Sequence, residues 1–242
     1  MISHTASRLA IALRVRGLAT TVVSPSRSGE TCIVEAARQY LNEKQSLVDS
    51  LRPDDYRRVD AGIGASVGGH MRHTLDHFSK CLAAAQSPPI GNATTTAAPG
   101  NELQQEASDN NPAVAIRYDH RVRGGSIEMC PSAASRCISS LLQQLQELPR
   151  GRELRKEHVR ATFMLALEGS REEHQFESNL ERELFFCCHH GTHHDAMIQL
   201  ILRGMGDKGQ AALCQAGPGL GVAPSTLEHL QREMPGEGQE KV

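Results

Sequence analysis

The sequence predicts an all-α protein, a single bundle of four long amphipathic helices with one or two short extended pieces. Apolar residues recur at helical spacing in four separate stretches. Aromatic residues make up only 3% of the 242 residues, with no Trp, too few for a sheet sandwich or a base-stacking groove. A polar, low-complexity stretch separates the second helix from the third.

The elements follow in order. From Thr31 to Leu51, Ile33, Ala36, Ala37, Tyr40, Leu41, Leu47 and Val48 share one face; Thr31 is the expected N-cap and Pro53 the stop. A second helix spans Ser66 to Gln86, closed by Ser87-Pro88-Pro89. Residues 87–112, rich in Ser, Pro, Thr, Ala, Asn and Gln, read as a flexible insertion. Val114 to Tyr118 suits a short extended piece. Pro131 fits the first turn of a third helix reaching Leu148, with Ile138, Leu141, Leu142 and Leu145 on its face. Val159 to Leu167 is continuously apolar enough for a strand or hairpin arm. Ser178 with Glu181 forms a capping-box pattern that opens the longest helix, through about Met205. Gly-rich residues 204–221 follow, then a small helix from Pro224 to Leu230. The domain therefore covers 30–230, between a leader (1–29) and a disordered tail (231–242).

Charge and cysteines narrow the function classes. Lys plus Arg number 26 against 28 acids, so nothing marks a nucleic-acid binder. All 28 acids lie after residue 29, whereas Arg8, Arg14, Arg16 and Arg27 precede it, leaving +4 on the leader and −6 on the rest. That Arg-rich, acid-free start fits a mitochondrial transit peptide, with a plain cytoplasmic tail as the alternative. Its apolar run, Leu9 to Leu13, is too short for a secretory signal, and no stretch suits a membrane span. Seven Cys without a C-x-x-C pair read as reduced thiols.

Twelve His against eight Phe and Tyr form the compositional anomaly, and seven of the twelve fall in two helical segments. On the last helix, His190 and His194 lie about 40° apart and near the middle of the core-facing stripe, with His193 and His189 on its flank. Imidazoles at i and i+4 stand about 6 Å apart at Cβ and reach one metal ion. A further ligand is expected from another helix. The second helix offers His70, His73 and His77, of which His70 and His77 lie nearer its apolar arc. Asp76 is placed to orient a His73 ring nitrogen. The bland alternative is a set of core histidines satisfied by carbonyls or water.

Other motifs fail on context. Gly64-Ala-Ser66-Val-Gly68 spells G-x-S-x-G but follows no core strand, so Ser66 reads as a helix cap. Gly217-x-Gly219-x-Gly221 has neither a preceding strand nor a Lys-Ser/Thr pair, and no H-E-x-x-H is present.

His70-Met-Arg-His73-Thr-Leu-Asp-His77-Phe, Tyr118-Asp119-x-Arg121-x-Arg123, Glu183-Leu184 ahead of His190-x-x-His193-His194, and Gly221-Val-Ala-Pro224-Ser225-Thr226 together resemble the DinB-like superfamily, over residues 31–206 and 218–227. The resemblance implies an up-down-down-up four-helix bundle. It also implies a divalent metal, zinc or nickel, on His73, His190 and His194. Some relatives of this kind are transferases or isomerases that use a low-molecular-weight thiol. Three neutral His leave a metal coordinatively open, as in catalytic sites. Arg121 and Arg123 are then candidates for a substrate carboxylate or phosphate, and His77, His193 and Asp76 for supporting roles. The expected function is a metal-dependent enzyme, a thiol S-transferase or hydrolase, acting on a small molecule. The alternative is a non-catalytic metal-binding bundle serving protein contacts, possible also as a homodimer.

Overall fold

The computed structural model describes residues 32–86, 115–121, 123–148, 152–167, 170–217 and 219–233. Thr31, the leader and the 87–112 insertion lie outside them. The described chain is mostly helical, and a three-stranded sheet makes the all-α expectation too narrow.

Four long helices carry the core. Helix α1 (Cys32–Ser50) buries Ala37, Leu41, Leu47 and Val48. Helix α3 (Val67–Gln86) starts where expected, with the Ser66 hydroxyl accepting from Gly69 N–H at 3.0 Å. Helix α5 (Pro131–Glu147) has Pro in its first turn and buries Ile138, Leu141 and Leu145. Helix α7 (Leu180–Arg203) is the longest. Its cap is Asn179, whose side chain accepts from Arg182 N–H, and not the expected Ser178. The Ser178 hydroxyl is diverted to the Glu183 carboxylate, so the capping box does not form.

Helix α1 packs on α5 and α7, and α3 packs on the same two. Gln45, near the end of α1, donates to Ser135, near the start of α5. Tyr40 and Lys44 ascend α1 alongside Gly191 and Asp195 of α7. His70 and His73 ascend α3 against His194 and His190, which descend α7.

The sheet flanks this core. Strand β1 (Ala115–Arg117) pairs in parallel with β2 (His158–Leu167), which pairs antiparallel with β3 (Ser170–Asn179). The expected extended pieces correspond to β1 and β2. Strand β3, SREEHQFESN, was not foreseen: it is an edge strand whose one large apolar residue, Phe176, is 48% exposed, so no alternation betrays it.

Small helices fill the corners: α2 (Pro53–Arg57), α4 (Ser126–Met129), α6 (Arg152–Lys156), α8 (Asp207–Ala216) and α9 (Pro224–Glu233). Helix α8 lies in the 204–221 stretch, read from the sequence only as Gly-rich. It packs on α1 and α7 through Gly209, Ala212 and Ala216, side chains too small for a strong apolar signal. Helix α9 continues to Glu233, three residues into the segment expected to be a disordered tail.

Candidate metal centre

Antiparallel neighbours α3 and α7 bring one ring nitrogen of each of three histidines together. His190 Nε2 lies 3.1 Å from His73 Nε2 and 3.1 Å from His194 Nε2. The three are the group of described residues whose ligand atoms could hold a metal ion. Nitrogens on a tetrahedral ion, with bonds of about 2.0–2.1 Å, stand at similar separations. His73 is 6% exposed, and its Nδ1 has no partner.

Burial sets the charge state. It is the first cause holding His73 down to about 3, followed by the Arg121 guanidinium. Burial and then His73 hold His194 to about 3. His190 is lowered by burial and then by His193. At neutral pH the three rings are therefore neutral and keep lone pairs for a cation.

Aromatic packing fixes the ring planes. His77 is sandwiched between Tyr118 (4.6 Å, 18°) and His190 (4.5 Å, 25°), and Phe186 stacks against His190 at 5.5 Å. Both His77 nitrogens are buried without a partner, and burial brings this ring to about 2. Behind the stack the Tyr118 hydroxyl donates to Glu183 Oε2 at 2.8 Å. Glu183 is fully buried and also accepts from Arg182 Nη1 at 2.7 Å and from Ser178, which makes it a member of a buried network in the first turn of α7.

A second buried layer lies on the α1 side. Each of the three histidines is followed in sequence by a residue that faces Tyr40: Thr74, Gly191 and Asp195. Tyr40 stacks on Phe78 at 5.7 Å, and Lys44 Nζ lies 2.8 Å from Asp195 Oδ2, with the side chains 1% and 4% exposed. Burial, then the Asp195 carboxylate, pushes the Tyr40 phenol well up, so it stays protonated.

The other sequence candidates are distributed unevenly. Arg121 bears electrostatically on His73, His77 and His190, with its side chain 31% exposed and 3.5 Å from Asp119. Arg123 is exposed, and nothing among the described residues ties it to the histidines. Asp76 does not orient His73: Arg72 takes its carboxylate at 2.7 Å, an i, i+4 pair that wins because Arg72 is buried beside it. His193 is exposed, its ring 5.4 Å from that of His194. Sequence reasoning missed Tyr40, Lys44 and Asp195. The signal available was one charged residue on the apolar arc of each of two helices, which becomes a pair only once the helices dock.

Comparison with known proteins adds little. No family model and no solved structure matches the chain. FK506-binding protein 5 of Rhizopus delemar is 36% identical over 61 residues, 25% of this chain. The chain spans 14% of that protein's length. Among the described residues, no helix is long and apolar enough to cross a membrane.

Proposed function

We propose that this chain is a DinB-like metal-dependent enzyme, with zinc or nickel held by His73, His190 and His194. The observation that carries this reading is the convergence of three neutral, partly or wholly buried imidazoles on one point. The helix contacts support an up-down-down-up bundle: α1 follows α7, α5 opposes α1, and α3 opposes α7. A divalent ion with three His ligands supplies Lewis acidity, acidifying a water or a thiol cosubstrate.

The chain's own residues supply the rest. Arg121, part-exposed beside the histidines, binds a carboxylate or phosphate of the small-molecule substrate. His77, Tyr118 and Phe186 wall the site and keep water from its inner side. The Arg-rich start of the chain supports a cytoplasmic or mitochondrial setting.

One observation favours a second reading. Asp76 is occupied by Arg72, so this carboxylate is not held against the histidines as a general base. A non-catalytic metal-binding bundle would need none. Elemental analysis of the purified protein separates the readings from their joint failure. Stoichiometric zinc or nickel, lost in His73→Ala, His190→Ala and His194→Ala, is expected, and its absence overturns both. Turnover of thiol-transfer or ester substrates by the loaded protein then supports the enzyme, and loaded but inert protein supports the second reading.

A further inference from the structure

We infer that His70 is a positioning residue for His194, accepting its Nδ1–H and so holding the tautomer whose Nε2 lone pair faces His73 and His190. The inference rests on the reading that the three histidines hold a metal. His70 and His194 touch through their Nδ1 atoms at 2.9 Å, while the opposite nitrogen of His194 lies 3.1 Å from His190 Nε2. A neutral imidazole carries one proton. If Nε2 of His194 is to bind a cation, that proton sits on Nδ1 and needs an acceptor. The acceptor is usually a carboxylate or a carbonyl; here it is a second imidazole, one helical turn before His73 on α3.

The same contact has a second setting. With the proton on His70 Nδ1, His194 becomes the acceptor and its own proton moves to Nε2, aimed at the other two ring nitrogens. That setting excludes a cation, so a bound metal selects the first one. In the first setting His70 keeps its proton on Nε2, a buried atom with no partner in the structure. His73 shows the contrast, since its Nδ1 has no hydrogen-bond partner.

The test measures metal binding and tautomer, not activity. Cobalt(II) is titrated against a competing chelator into full-length wild type, His70→Phe and His70→Asn. Loss of the acceptor in His70→Phe is expected to weaken binding about 10–100-fold. Asn, whose amide oxygen can occupy the place of Nδ1, should recover most of that, including where the Phe variant fails to fold. Long-range proton–nitrogen NMR of the zinc-loaded wild type should show His194 protonated at Nδ1. Equal cobalt affinity in wild type and His70→Phe, no recovery in His70→Asn, or an unprotonated His194 Nδ1 overturns this inference alone. A wild type that binds no cobalt overturns the metal reading as well.

Discussion

Tyr40 of α1 occupies the space that any side chain at position 191 of α7 would need. A Cβ built on Gly191 stands 2.7 Å from Tyr40 Cζ and closer still to the hydroxyl, nearer than carbon atoms approach. Gly191 lies between His190 and the His193-His194 pair, so this close approach sets how near α1 comes to the candidate ligands. A Gly inside a helix costs up to ~1 kcal/mol relative to Ala; here it admits a phenol that contacts both α3 and α7.

Gly191→Ala therefore reverses the usual helix preference. It should destabilise the fold by about 1–3 kcal/mol through overpacking, read as a lower denaturation midpoint by circular dichroism. Tyr40→Phe in the same chain should return part of the loss by removing the nearest atom. An alanine variant as stable as wild type would show that α1 and α7 separate without cost.

Lys44 and Asp195 form an ion pair inside the protein. Removing one partner leaves a buried charge, so Lys44→Met or Asp195→Leu alone should cost about 3–5 kcal/mol. The double variant, which removes both charges, should lie well above either single one. Additive losses in the double-mutant cycle would mean that the pair is not coupled.

Tyr118→Phe deletes the hydroxyl that Glu183 accepts at 2.8 Å, leaving the buried carboxylate two partners in place of three. The expected cost is ~1.5–3 kcal/mol, as for a hydrogen bond to a charged group. Glu183→Gln in the Tyr118→Phe background should lose less than the two single variants summed. Chemical denaturation of the four proteins measures this.

The pH dependence has a definite sign. His73 and His194 are held to about 3 and His77 to about 2, against 6.5 in the unfolded chain. Below pH 6.5 the unfolded chain binds protons that the folded rings refuse, so metal-free stability is complete above 6.5 and falls continuously as pH drops toward 3. Metal affinity of the folded protein falls only as pH approaches those lowered values, because ligation needs the neutral ring. His77→Leu should flatten the stability slope of the metal-free protein. A slope unchanged in that variant would locate the acid sensitivity elsewhere.

Much of this was legible in the chain. Helical spacing located α1, α3, α5 and α7 to within a few residues, because each pairs a Leu- or Ile-rich face with a polar one. Ser66 announced its cap, while the Ser178 cap misread by one residue because Ser178 had a competing acceptor in Glu183. Strand β3 and helix α8 were not legible: the first exposes both faces, and the second packs through Gly and Ala.

For the site, the sequence by itself determined that His190 and His194 share a buried face at metal-binding spacing, and that α3 carries three further histidines. Only the tertiary structure decided that His73 meets them, with His70 bonded behind His194 and His77 stacked alongside. A helical wheel fixes angles about its own axis but not the rotation of one helix against another. That rotation is set by the packing of α3 against α7, and by Tyr40 resting on Gly191.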